Sequence, residues 1–158
     1  MAEAAGRLLQ IILEGAPLHR ISALQQADRD QAVRDLQTEN AFYPTGHAGL
    51  QSILHLGVQD GRLIFDIRDA QEAPVVAVGL ALGPFKMLIK DYQMLLDSYA
   101  SAVAEGREAK IQAIDMGRRG LHNEGAELMM QRLDGKVVID FTTARRLFTL
   151  ICALHQKL

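Results

Sequence analysis

The sequence predicts an α+β protein, a small antiparallel sheet with a β-meander packed against several helices, in the order β-α-β-β-β-α-α-β-α. Three observations carry this. The dipeptide Asp60-Gly61 separates two apolar-rich segments, which is the signature of a two-residue hairpin. A third segment rich in β-branched residues, Val75 to Leu82, follows closely. From Pro84 onward apolar residues recur at helical rather than alternating spacing.

The elements follow in order. Leu8 to Leu13 is a short apolar run ended by Glu14-Gly15, read as a strand. After a connector containing Pro17, residues Asp28 to Asn40 place Ala32, Val33 and Leu36 on one face, with Asp28 as the expected N-cap. In the hairpin, pairing Gln59 with Arg62 sets Val58 by Leu63, Leu56 by Phe65 and Leu54 by Ile67, all on one face. The other face then holds Ile53 by Arg68, Gly57 by Ile64, and His55 by Asp66, expected to be a surface cross-strand pair. In the third strand Val76, Val78, Leu80 and Leu82 alternate with the small Val75, Ala77, Gly79 and Ala81. The small face invites close approach by a packed helix, the preferred reading, or by a second copy of the sheet.

Gly83-Pro84 opens a helix with proline where its missing N–H costs nothing, and Phe85, Leu88, Tyr92, Leu95, Leu96, Tyr99 and Val103 face inward. Glu105-Gly106 stops it. A second helix from about Arg107 to Leu133, with Ile111, Ile114, Leu121 and Leu128 inward, forms an antiparallel pair with the first. Asp134-Gly135 turns into a short strand, Lys136 to Ile139, and a last helix from Asp140 or Thr142 buries Ala144, Leu147, Phe148 and Ile151 and runs almost to Leu158. The chain shows no internal repeat or linker, so residues 1–158 are expected to form one domain.

Composition narrows function. With 49% hydrophobic and 23% charged residues the chain falls among ordinary globular domains. Seventeen Lys and Arg against nineteen Asp and Glu give a formal charge of -2, and aromatic residues are 5%, so nucleic-acid binding is disfavoured. The start lacks a basic segment before an apolar core, and the richest apolar stretch, Pro74 to Phe85, is too short to span a bilayer. A cytoplasmic protein with no membrane partner is the expectation. The single thiol, Cys152, lies in an apolar helical pattern and is expected to be a buried structural residue.

The chemistry concentrates in Asp115-Met116-Gly117-Arg118-Arg119-Gly120-Leu121-His122-Asn123-Glu124-Gly125. Three glycines inside a helix cost roughly 1 kcal/mol each relative to alanine, so either the helix breaks here or its backbone touches something. At helical spacing Asp115, Arg118, Arg119 and His122 share an arc beside the apolar stripe. One reading is an anion site in which the two guanidiniums fork onto a phosphate or carboxylate, with His122 and Asn123 beside them. The plain structural alternative is an ion pair from Asp115 to Arg119, a core-shielding Arg118 stem and a satisfied edge histidine. A second basic pair, Arg145-Arg146, starts the last helix, and the fold would have to bring it beside Arg118 and Arg119 to matter. A metal site from Asp115, His122 and Glu124 would require a broken helix, because residues 122 and 124 point to different faces, so no metal is expected. The sequence contains no nucleotide-binding, nucleophile-elbow or zinc-protease motif, and no cofactor is expected.

The segments AIDMGRRGLHNEGAELMMQRL and TARRLFTLICALH, with looser likeness over GRLIFDIRD and GPFKMLIKDY, closely resemble an uncharacterised bacterial family, number two-six-two of the UPF series. The resemblance covers nearly the whole chain but implies no reaction, ligand or catalytic residue. Function therefore stays unknown at this level, and whether the protein is an enzyme stays open. The preferred reading is a noncatalytic interaction or anionic-ligand-binding module, a homodimer among its expected forms, that takes an anionic small molecule or protein partner through Arg118, Arg119, His122, Asn123, Arg145 and Arg146. The alternative is a small hydrolase or group-transfer enzyme with His122 as general acid or base, oriented by Asp115 or Glu124. RNA binding through the four arginines ranks last.

Overall fold

The Asp60-Gly61 turn organises the main sheet. Both residues have positive φ, 53° and 72°, as a type I′ turn requires. The computed structural model, which describes residues 6–14 and 23–154, joins β3 (Gln51–Gln59) to β4 (Arg62–Asp69) in the expected register. Gln59 faces Arg62, Leu56 faces Phe65 and Leu54 faces Ile67. β5 (Pro74–Ala81) adds antiparallel to β4, completing the meander.

The first strand departs from expectation. β1 (Arg7–Glu14) pairs with β3 in parallel, so the sheet is mixed, in the order β1-β3-β4-β5. A parallel neighbour needs a crossover, which α1 (Ala23–Thr38) supplies. Asp28 lies inside this helix and is not its N-cap. A strand the sequence analysis did not predict, β2 (Phe42–Pro44), pairs antiparallel with β6 (Val137–Ile139) as a separate two-stranded sheet. Three residues ending in proline carry too little alternation to announce a strand. The connector containing Pro17 and the last residues of the predicted final helix lie outside the described residues.

α2 (Gly83–Glu105) and α3 (Glu108–Leu133) form the expected antiparallel pair, separated by Gly106 in the left-handed conformation. Val103, expected inward, is half exposed. α4 (Phe141–Leu154) starts where Asp140 Oδ1 accepts the Thr143 amide at 2.8 Å. The helical layer packs α4 against both α1 and α3, and α2 against α3, with Tyr92 of α2 also reaching Asp28 of α1. It covers the sheet face bearing Leu54, Leu56, Leu63, Phe65 and Ile67, which pack in one core with Phe85, Ile89, Leu147 and Phe148. Each such fully buried side chain contributes about 1.5–3 kcal/mol. The other sheet face carries no helix among the described residues. Ala77, Gly79 and Ala81 stand exposed there, so the small face of β5 does not receive the helix expected of it. Cys152 is buried and free.

Candidate functional site

α3 is unbroken through its three glycines, and they do not share one role. A Cβ on Gly125 would lie 2.3–2.4 Å from the Phe148 ring, so α4 can approach this closely only because residue 125 has no side chain. On Gly117 a Cβ would make ordinary contact with Leu95 at 3.7 Å, and on Gly120 it would meet open space. The close approach at Gly125 sets Arg145 and Thr149 of α4 opposite Arg118 and His122 of α3, with α1 closing the third side.

A cavity of about 280 Å³ lies between these three helices. Its lining includes Arg118, His122, Arg145 and Arg146, together with Thr142 and Thr149. Basic residues far apart in sequence therefore converge on one concavity. α1 contributes Asp28, Gln31 and Asp35.

The four arginines differ sharply in what occupies them. Arg118 Nη1 donates to both oxygens of Asp28 at 3.0 and 2.9 Å, and Nη2 donates to Asp115 Oδ1 at 3.0 Å. Burial pulls its pKa down, but the two carboxylates outweigh this and the guanidinium stays charged. Arg146 Nη1 donates to the backbone carbonyls of Asp35 and Glu39, at 3.3 and 2.9 Å, holding the C-terminal end of α1. Arg119 is 72% exposed and pairs with Asp115 at 3.2 Å, pointing away from the cavity. Arg145 is half-buried, and its Nε is enclosed without a hydrogen-bond partner. An enclosed, unsatisfied cationic donor is costly.

His122 packs between aromatic rings, 5.3 Å from Tyr92 and edge-on to Phe148 at 6.4 Å. Burial first, then Arg145 and Arg118, lower its pKa to about 4, so the ring is neutral at pH 7. Its Nε2 lies 3.5 Å from Thr149 Oγ1, a long polar contact. Tyr92 donates its hydroxyl to Asp28 Oδ2, and burial together with that carboxylate drives the phenol pKa well up. Asp115 is held below the usual carboxylate range by Arg118 and bonds arginines rather than His122.

Four of the residues singled out in the sequence thus gather around the cavity: Arg118, His122, Arg145 and Arg146. Arg119, Asn123 and Glu124 are exposed elsewhere on α3, and the unbroken helix keeps Glu124 on a different face from His122. Among the described residues no group of three or more His, Cys, Asp or Glu is placed to hold a metal. Sequence reasoning missed Asp28, Tyr92 and Thr149. A signal existed for Asp28, which precedes Ala32 by four positions and Leu36 by eight and so lies on the buried face of its helix.

A second polar cluster sits on the open sheet face. His55 faces Asp66 across the strands as expected, but it is 9% exposed rather than a surface residue, and its ring contacts other carboxylates. Nδ1 lies 2.6 Å from Glu14 Oε1 and Nε2 lies 2.9 Å from Glu72 Oε2, tying β1 to the β4–β5 turn across β3. Arg68 bridges Glu72 and Asp66. Both ring nitrogens facing carboxylates favours the imidazolium: burial opposes the charge, and the two hydrogen bonds outweigh burial and raise the pKa.

Fold and site define an α+β protein whose helices line a polar, arginine-rich cavity. The chain belongs to the uncharacterised protein family UPF0262, whose family model matches residues 5–157. It is 62% identical to a UPF0262 protein of Acidiphilium cryptum over 156 residues, covering 99% of this chain and 96% of the relative. A UPF0262 protein of Granulibacter bethesdensis is 58% identical, with 98% and 93% covered, and one of Azorhizobium caulinodans is 46% identical, with 96% and 94% covered. No solved structure matches the chain. The family is uncharacterised, so the protein's function is unknown. No helix among the described residues is long and apolar enough to cross a membrane.

Proposed function

We propose that the protein is a noncatalytic binding module of the cytoplasm that takes a small anion, a carboxylate or phosphate group, in the cavity between α1, α3 and α4. One observation carries the reading: guanidiniums from two separate helices, Arg118 of α3 and Arg145 and Arg146 of α4, line one cavity together with the Thr142 and Thr149 hydroxyls. The planar guanidinium fork of Arg145 matches a carboxylate or phosphate group. The Thr142 and Thr149 hydroxyls and neutral His122 line the same cavity and can donate to the remaining oxygens. Arg118 and Arg146 act differently from the sequence expectation: engaged with Asp28, Asp115 and the end of α1, they shape the cavity and add positive potential.

The acid/base alternative has less support. With a pKa of about 4 His122 is a weak base, and the carboxylate expected to orient it is engaged by Arg118 and Arg119.

The test is thermal melting of wild type and Arg145→Ala against inorganic phosphate, phosphate monoesters, nucleotides and mono- and dicarboxylates. At about a hundred times Kd a ligand adds roughly 2.7 kcal/mol, equivalent to a rise of roughly 5–10 °C. A wild-type rise that Arg145→Ala loses supports the reading. No rise with any anion, or one that Arg145→Ala keeps, overturns it.

A further inference from the structure

The open face of the sheet holds a second cavity, of about 410 Å³, whose lining includes Glu14, His55, Gly57, Ile64, Asp66 and Arg68. The strand register orders these residues. Glu14, Gly57 and Ile64 stand in one row across β1, β3 and β4, His55 and Asp66 stand in the next, and Arg68 lies one row further. Glu14 reaches back to His55, so the charged groups gather toward one end and leave Gly57 and Ile64 as an apolar floor. Gly57 keeps that floor low, because a Cβ there would lie 3.1 Å from Glu14 Cβ and stand in the cavity.

At the polar end the donors are engaged and acceptors are left over. Both imidazole nitrogens of His55 face carboxylates, Glu14 and Glu72. All three guanidinium nitrogens of Arg68 donate, Nε and Nη2 to Asp66 Oδ2 and Nη1 to Glu72 Oε2. Glu14 Oε2 and Asp66 Oδ1 have no hydrogen-bond partner among the described residues, and these two side chains are 56% and 33% exposed. Three carboxylates, Glu14, Asp66 and Glu72, thus surround two cations, His55 and Arg68, leaving one negative charge in excess. A ligand entering here has to bring hydrogen-bond donors and positive charge. A metal ion does not suit the site: among the described residues no three His, Cys, Asp or Glu are placed to hold one, and the floor offers carbon rather than oxygen.

We infer that this cavity binds a small organic cation, a primary ammonium group on a short apolar body, with the ammonium donating to Glu14 and Asp66 and the body lying over Gly57 and Ile64. The volume is that of a small-molecule site. The cluster is anchored in advance: His55 is held at both nitrogens, and Asp69 Oδ1 accepts the amides of Gln71 and Ala73 in the turn that carries Glu72. The site lies on the opposite face of the sheet from the arginine cavity and takes the opposite charge, so neither reading depends on the other.

Benzylamine and n-butylamine test this on the full chain near neutral pH, with benzyl alcohol and benzoate as neutral and anionic counterparts, read by nuclear magnetic resonance shifts. The expected result is saturable binding of both amines that moves the signals of His55, Gly57 and Ile64, with no such effect of the alcohol or benzoate. Asp66→Asn and Glu14→Gln each remove one charge with little change of shape, and each is expected to weaken amine binding about tenfold. Melting temperature checks that the variants fold, and either folded variant alone decides the point. No saturable shift up to about 20 mM amine overturns the inference, since even a fragment-sized ligand should bind by then. Alcohol binding as tight as the amine's, shifts that gather away from the open face, or an affinity unchanged in a folded variant overturns it as well.

Discussion

Arg118 and Asp28, ninety positions apart, are joined by one guanidinium nitrogen lying 3.0 and 2.9 Å from the two carboxylate oxygens. The contact links α3 to α1 at the mouth of the cavity, and the Tyr92 hydroxyl adds α2 to the same carboxylate. One acid thus holds three helices.

Removing the guanidinium leaves Asp28 partly buried with Tyr92 as its remaining partner. Breaking a fully buried pair costs about 3–5 kcal/mol, and the quarter exposure of Arg118 reduces this. Arg118→Ala is expected to lose about 2 kcal/mol, a fall of roughly 4–8 °C in melting temperature. Arg118→Lys keeps the charge but cannot reach Asp28 and Asp115 at once, and recovers only part of the loss. Urea titration of the three proteins measures both steps.

The glycines of α3 predict opposite signs within one helix. Gly125→Ala drives a methyl into the Phe148 ring and is expected to cost about 1–3 kcal/mol, with loss of the α3–α4 approach that shapes the cavity. Gly120→Ala meets open space and gains helix propensity, a stabilisation of about 1 kcal/mol. Chemical denaturation of both variants checks the contrast.

The arginines separate in the same way. Arg146→Ala frees the carbonyls of Asp35 and Glu39 at the end of α1 and is expected to cost about 1 kcal/mol. Arg119→Ala removes only an exposed pair and is expected to fall within about 0.5 kcal/mol of wild type. Equal losses in the two melting curves would contradict these assignments.

These positions also show what the sequence made legible. The hairpin register could be worked out because a two-residue turn and a two-residue period must agree, and Leu54, Leu56, Val58, Leu63, Phe65 and Ile67 permit one solution. The parallel pairing of β1 with β3 could not, because the alternation of a strand says nothing about its direction. The convergence of Arg118, His122 and Arg145 was posed by the sequence but decided by the α3–α4 contact at Gly125, and local spacing does not distinguish that glycine from Gly117 or Gly120. Asp28 was misread as a cap because its partners, Tyr92 and Arg118, are distant in the chain. The small face of β5 was noticed, and only the exposure of Ala77, Gly79 and Ala81, with Val78 and Leu80 in the core, shows that the helices cover the other side of the sheet.

His55 and His122 give stability opposite pH dependences. For His55 the folded pKa is raised above the unfolded value near 6.5, burial opposing and Glu14 and Glu72 prevailing. Its contribution is therefore full below about pH 6.5 and is lost as pH rises through the folded pKa. For His122 the folded pKa is lowered to about 4 by burial, Arg145 and Arg118, so its contribution is full above about pH 6.5 and is lost as pH falls toward 4. Melting temperature against pH should decline on both sides of neutrality. His55→Gln is expected to lower stability near neutrality and flatten the alkaline decline while leaving the acid limb, and His122→Gln to flatten the acid limb between about pH 6.5 and 4 while leaving the alkaline one. Nuclear magnetic resonance titration of the two imidazoles reads the same shifts directly, and a His122 that titrates near 6.5 would contradict its enclosure between Tyr92 and Phe148.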